Sequence, residues 1–153
     1  DLFLARAVEL AQKGSELGEG GPFGAVIVCE GKIIAEGWNR VVASRDPTAH
    51  AEISAIRTAC AAVDSFHLPN STLYASSEPC PMCLSAAYWA RIERIVFANS
   101  RAEAAAIGFC DDELYCELGR HFTARSIVME HHPMPGSLLP LQRWFANPKR
   151  TCY

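Results

Sequence analysis

At 153 residues, the chain has about the length of one domain and is long enough to bury a hydrophobic core. Half of the residues are hydrophobic and a fifth are charged, as in ordinary globular proteins, and no apolar run reaches the ~20 residues that cross a bilayer. The net charge of -3 argues against a protein that binds duplex nucleic acid through a basic face.

The chain begins with a predicted helix and a glycine-rich loop. Apolar residues at helical spacing predict a helix over 3–17, and Gly18 provides its stop signal. The loop follows at 20–24.

A hairpin is predicted next. Apolar runs at 25–29 and 33–38 flank a turn at 30–32, which is the pattern of two antiparallel strands. The polar residues 39–46 are predicted to be irregular.

Helices and strands alternate in the middle of the chain. A helix over 47–62 begins with proline and threonine, which favour the first turn and the cap. A strand at 72–76, a helix at 80–90 and a strand at 94–98 follow. This alternation predicts a parallel part of the sheet, so the sheet as a whole should be mixed.

The last third of the chain is predicted to be mostly helical. An alanine-rich helix over 101–107 stops at Gly108, and a further helix is predicted at 112–118. Residues 126–130 predict a strand, and 138–145 predict a terminal helix.

One histidine and two cysteines have the spacing of metal ligands. His50 and the pair Cys80 and Cys83 all fall at predicted helix starts. Three such ligands suit Zn²⁺ and leave a fourth tetrahedral position for water, as in catalytic zinc sites. Glu52 would lie about 200° from His50 on an ideal helix, which suits a proton carrier better than a fourth ligand.

The two cysteines are also compatible with a redox pair or with a structural zinc site. A redox Cys-x-x-Cys pair would need no His-x-Glu partner. A structural zinc site would need a fourth protein ligand, and the candidates for it are Cys29, Cys60, Cys110 and His67.

The cysteine count indicates a reducing compartment. Seven cysteines are an odd number, which argues against a disulfide framework. The N-terminus also lacks the layout of a secretory signal. We therefore expect a cytoplasmic protein.

Residues 46–52 and 78–83 resemble the zinc motif of the cytidine-deaminase-like superfamily. They are similar to the branch that holds guanine deaminases and tRNA adenosine deaminases. Three further segments favour the bacterial type of guanine deaminase: 20–28, 88–91 and 108–112. The resemblance implies one deaminase domain over 1–153, with a three-layer α/β/α fold around a five-stranded mixed sheet and one Zn²⁺ per subunit.

The same resemblance implies an activity and an assembly. The expected reaction is the hydrolytic deamination of guanine, a small purine base, to xanthine and ammonia. The expected assembly is a homodimer, which domain swapping could produce, in which a C-terminal segment at about 135–153 closes the partner's site. Neither a membrane nor a nucleic acid is an expected partner.

Site residues are implied by the resemblance as well. Glu52 and Asp111 would be catalytic. Substrate contacts would come from Asn39, Ala51, Phe23, Trp89, Asp111 and Tyr153. Cys110 stands where relatives often carry an acidic residue, so the sequence leaves open whether Asp111 or Asp112 faces the ligand.

Several functions besides guanine deamination would suit the same motif. A tRNA adenosine deaminase would share it but would need basic residues near its pocket. Cytosine and an amino-triazine are further candidate substrates of the same chemistry. A zinc-stabilised binding module, with four protein ligands and no water, is the non-enzymatic alternative.

Overall fold

The computed structural model describes all residues from Asp1 to Tyr153. They form two units, residues 1–111 and residues 112–153. No helix in the chain has both the length and the hydrophobicity of a membrane span. The sequence-based assignment of one domain over 1–153 stays a prediction.

Nine elements make up the first unit. They are α1 (Leu2–Glu16), β1 (Gly24–Cys29), β2 (Lys32–Trp38), α2 (Val41–Ser44), α3 (Ala51–Ala62), β3 (Ser71–Ser77), α4 (Pro81–Trp89), β4 (Arg94–Asn99) and α5 (Arg101–Ala106). All except the one-turn helix α2 were expected from the sequence. Glu30 and Gly31 both have positive φ in the β1–β2 turn, a combination that matches the twist of a tight hairpin.

The strands form one mixed sheet in the order β2-β1-β3-β4. β1 is antiparallel to both β2 and β3, whereas β3 and β4 are parallel and are connected through α4. The predicted mixed α/β architecture is therefore confirmed. The predicted count of five strands is wrong, because the sheet has four.

Helices cover both faces of this sheet. Alternate residues of β1 point to opposite faces: Ala25 and Ile27 pack in a cluster with residues of α3, while Val26 and Val28 pack with Leu10 of α1. Burial on both faces explains why β1 is apolar throughout. The result is the predicted three-layer α/β/α arrangement.

Helix α3 begins later than predicted. The side chain of Asp46 accepts hydrogen bonds from the Thr48 backbone N–H at 2.8 Å and from its hydroxyl at 2.7 Å. These bonds hold residues 46–49 in a turn, because Thr48 binds Asp46 instead of capping a helix. The first helical residue is consequently Ala51, and His50 precedes the helix.

The second unit contains only short elements. They are α6 (Asp112–Gly119), a 3₁₀ turn (Phe122–Ala124) and α7 (Leu139–Ala146). The strand predicted at 126–130 is wrong: Ile127 and Val128 are 77% and 82% exposed, and no strand pairs with this segment. A β-branched run becomes a strand only when a neighbour supplies the hydrogen-bond ladder.

Candidate active site

His50 and Cys80 occupy equivalent places in the fold. Each is the residue immediately before a helix, α3 and α4 respectively, and each has an extended backbone with φ near -65° (ψ 159° and 169°). Neither side chain caps its own helix. Both are thus free to face the same point, together with Cys83 from the first turn of α4.

The three ligand atoms fit a zinc ion. His50 Nδ1 lies 3.7 Å from Cys80 Sγ and 3.6 Å from Cys83 Sγ, and all three atoms are within 4.8 Å of one another. Tetrahedral zinc with ordinary Zn–N and Zn–S bonds requires an N···S separation of about 3.6 Å. His50, Cys80 and Cys83 can therefore hold the ion, with Nδ1 as the histidine ligand atom.

The side chains of Cys80 and Cys83 affect each other's pKa. The pKa of Cys80 is lowered to about 4, chiefly because its sulfur accepts a hydrogen bond from the Cys83 thiol. The pKa of Cys83 is raised because it donates that bond and because it is buried. A cation that binds both sulfurs as thiolates must displace this proton, and the positive end of the α4 dipole favours that exchange.

Glu52 is buried beside these ligands. It is the second residue of α3, its exposure is 7%, and desolvation raises its pKa. Glu52 and His50 line the same cavity although a regular helix would separate them. They can do so because the backbone of His50 is extended and not helical.

A glycine brings α3 close to the sheet. A Cβ atom on Gly37 of β2 would lie 2.5 Å from the Ala51 carbonyl oxygen and 2.6 Å from the Ala55 nitrogen. Only the absence of a side chain allows this contact. Ala51 is fully buried as a result and does not line the cavity, so its predicted contact with substrate stays a prediction.

A cavity of about 560 Å³ opens next to the ligand cluster. This volume lies within the range of small-molecule sites. Six of the residues predicted from the sequence line it: Phe23, Asn39, His50, Glu52, Cys80 and Asp111. Cys83, the third ligand, is fully buried behind it.

Asn39 is fixed by the backbone around it. Its Oδ1 accepts hydrogen bonds from the N–H groups of Gly21 and Val41, both at 3.2 Å. Because these two bonds use the acceptor, the side chain can offer only its amino group to a ligand. Asn39 is therefore suited to bind a hydrogen-bond acceptor.

The cavity also contains two charged side chains that were not predicted as site groups. Glu78 follows β3 and Arg101 follows β4; the Arg101 backbone N–H donates to Glu78 Oε2 at 3.0 Å. The Arg101 guanidinium lies 3.9 Å from Asp111. The predicted parallel strands could have identified both, since the carboxyl ends of parallel strands meet at one edge of the sheet.

The apolar wall of the cavity includes Phe109, which lies in the segment 108–112 but was not predicted as a site residue. The ring of Phe109 packs edge-to-face on Phe23, with centroids 4.8 Å apart. A Cβ on Gly21 would lie 2.9 Å from Phe109 and 3.0 Å from Phe23, so the glycine makes room for both rings.

Trp89 and Tyr153 do not line the cavity of this chain. Trp89 ends α4 and is 64% exposed, and Tyr153 is 71% exposed in the second unit. Their predicted contacts with substrate stay predictions.

Known proteins resemble this chain in sequence and in fold. The chain is 48% identical to guanine deaminase of Bacillus subtilis over 151 residues, which cover 97% of each protein. The X-ray structure of guanine deaminase from Bacillus subtilis superposes with a TM-score of 0.97 at 46% identity, covering 99% of this chain and 97% of that one. A tRNA-specific adenosine deaminase of Haemophilus influenzae is 48% identical over 111 residues, which cover 69% of this chain and 64% of that protein.

A family match places these residues in context. Residues 1–99 match the family described as the cytidine and deoxycytidylate deaminase zinc-binding region. This segment contains His50, Glu52, Cys80 and Cys83, whose side chains meet at one cavity. The chain therefore belongs to the cytidine and deoxycytidylate deaminase zinc-binding family.

Proposed function

We propose that this protein is a zinc-dependent guanine deaminase, which hydrolyses guanine to xanthine and ammonia. Guanine is proposed as the substrate because the similarity to a guanine deaminase extends over more of the chain than the similarity to a tRNA-specific adenosine deaminase. The likeness to guanine deaminase of Bacillus subtilis covers 97% of both chains, whereas the likeness to a tRNA-specific adenosine deaminase covers 69% of this one.

The charges of the cavity agree with a free base as substrate. Glu52, Glu78 and Asp111 line it, against Arg101 as the only Lys or Arg side chain among the lining residues. A predominance of carboxylates repels the phosphates of an RNA loop and favours a neutral ring. The edge-to-face pair of Phe23 and Phe109 offers that ring an apolar wall.

In the reaction, Glu52 moves the protons. Zinc held by His50, Cys80 and Cys83 supplies the Lewis acidity that lets water react as hydroxide near neutral pH. Glu52 takes the proton from that water and delivers it to a ring nitrogen beside C2, which makes C2 electrophilic. The oxygen of that water adds to C2, and Glu52 takes the second proton from this oxygen and passes it to the exocyclic amino group; the C2–N bond then breaks, ammonia leaves and C2 keeps a carbonyl group.

Other residues orient the substrate. The Asn39 amino group donates to an acceptor on the purine ring, and the backbone at Ala51 binds the edge of the ring. Asp111, held near Arg101, contacts guanine and assists the proton transfer to the leaving amine.

An ammonia-release assay tests the substrate. Zinc-loaded protein is given guanine, adenine, cytosine, an amino-triazine, guanosine and a tRNA anticodon stem-loop. We expect release from guanine to exceed the others by orders of magnitude, since a site built for polar ring groups rejects analogues that lack them by about 10⁴-fold.

Each different outcome of this assay selects an alternative. Inosine formation in the stem-loop, without turnover of guanine, would identify a tRNA adenosine deaminase, the activity named for the relative that is 48% identical over 111 residues. If the zinc-loaded protein releases ammonia from none of these compounds, the result would identify a binding module.

We further propose a homodimer in which the segment at about 135–153 closes the partner's site. None of the residues from 112 to 153 is buried, although α7 carries the large apolar residues Leu141, Trp144 and Phe145. An exposed apolar surface of this extent is typical of a protein interface. Trp89 and Tyr153 would contact substrate in this assembly.

A mixing experiment tests this assembly. Light scattering should give twice the mass of the chain. Glu52→Gln and Tyr153→Ala chains, each impaired alone, should regain activity when mixed, because one hybrid site then combines Glu52 with the other chain's Tyr153. A monomer, or dimeric variants that do not complement, would contradict the proposal.

The state of the cysteines supports a cytoplasmic location. None of the seven forms a disulfide bond. Thiols persist in a reducing compartment.

A further inference from the structure

Glu19 lies outside the cavity but is bound to two segments that form its walls. Its carboxylate oxygen Oε2 accepts hydrogen bonds from Trp38 Nε1 at 2.6 Å and from Arg40 Nε at 3.1 Å. Its backbone carbonyl accepts from the N–H groups of Val42 and Ala43 at 3.1 Å and 3.0 Å. Four bonds thus converge on one residue that does not line the cavity.

The two segments that Glu19 joins carry substrate-facing groups. Gly20, Gly21 and Phe23 follow Glu19 directly and form one wall. Asn39 and Val42 follow Trp38 and form another. Glu19 is therefore placed to fix the distance between the two walls.

The walls also meet each other directly. Asn39 N–H donates to the Phe23 carbonyl at 2.9 Å, and Gly21 N–H donates to Asn39 Oδ1 at 3.2 Å. A Cβ on Gly20 would lie 2.1 Å from Asn39 Oδ1. At this spacing, a shift of Gly20 or Gly21 would break or strain the hydrogen bond that fixes the Asn39 amide.

We propose that Glu19 is a positioning residue, which orients Asn39 and Phe23 for the substrate without touching it. The inference rests on guanine deamination as the proposed function. The bond of 2.6 Å from Trp38 Nε1 to the carboxylate is partly buried and ends on a charged acceptor, so it is stronger than a neutral bond, whereas the more exposed pair with Arg40 contributes less.

Steady-state kinetics on guanine separate this role from a structural one. Glu19→Ala removes both side-chain bonds and should raise KM about tenfold, the effect of losing one well-placed hydrogen bond to substrate. Its kcat and zinc content should stay near those of the wild type, because the contact is made in the ground state and transition state alike. Glu19→Gln retains an acceptor for Trp38 and should raise KM less, which gives a second variant if the first folds poorly.

Glu36 provides the matched control. It lies on β2 two residues before Trp38 and binds Arg6 through two hydrogen bonds of 2.7 Å and 2.8 Å, but it does not line the cavity. Glu36→Ala therefore removes an ion pair that is shorter than the Glu19–Arg40 pair from β2, the strand that carries Trp38, and should leave KM unchanged. An equal rise of KM in both variants, or in neither, would overturn the proposal.

Amide hydrogen exchange gives a reading that does not depend on guanine. In Glu19→Ala, exchange should accelerate at 20–24 and 39–44 and not in α3 or α4. Unchanged exchange in both segments would refute the positioning role even if the substrate proved to be another base. If the wild type did not act on guanine and Glu19→Ala still showed the expected change in exchange, only the proposed function would be refuted.

Discussion

Replacing Glu52 with glutamine is expected to remove most of the deaminase activity and to leave zinc binding and folding intact. Glutamine has nearly the same shape as glutamate but cannot carry a proton between water, ring and amine. Loss of one general acid–base group costs ~10²–10⁴-fold in rate. Ammonia release from guanine measures the effect, and zinc content and thermal unfolding verify that the variant is otherwise normal.

A second variant at this position sharpens the test. Glu52→Asp retains a carboxylate that is shorter by one methylene group, so it should recover part of the rate lost in Glu52→Gln. Turnover of Glu52→Gln within a few-fold of wild type would contradict the assigned role. A zinc-depleted Glu52→Gln protein would instead assign Glu52 to metal binding.

Replacing Cys83 with alanine is expected to cause the largest loss of zinc. Cys83 is fully buried in the first turn of α4, and its sulfur lies 3.6 Å from His50 Nδ1. Loss of a residue that only supports a ligand weakens metal binding by about 10–100-fold, so loss of a ligand should exceed that range. Competition with a chromogenic chelator measures the affinity without reference to activity.

Cys60 is the control for this variant. It is a partly buried cysteine of α3 that belongs neither to the ligand cluster nor to the cavity lining. Cys60→Ala should therefore bind zinc like the wild type. If Cys83→Ala retained the wild-type affinity, or if Cys60→Ala lost it, the proposed ligand set would be wrong.

The elements that could be predicted from the sequence are those whose signal is local. Helix α1 has apolar residues at helical spacing and the strand β1 is a short apolar run, so their positions follow from nearby residues alone. The start of α3 was misplaced because Asp46 binds Thr48, a local bond that competes with helix formation.

Contacts between distant residues could not be predicted in the same way. Residues 126–130 have the composition of a strand, but the missing partner strand leaves them irregular. Phe109 joins the cavity through Phe23, which is 86 positions away, and no pattern near either residue indicates the pair. The metal site could be predicted only because each half of its motif is a short local pattern: one half contains His50 and Glu52, and the other contains Cys80 and Cys83.

The close contact at Gly37 has a consequence for anyone who would transplant this chemistry. The two motifs occupy few positions, and copying them onto another α/β scaffold looks simple. On a strand that carries even a methyl group at the equivalent point, however, the recipient helix would be held off the sheet by its own backbone, and the grafted histidine would miss the sulfurs. A working graft must therefore also include a glycine at the position of Gly37, although that residue takes no part in the reaction.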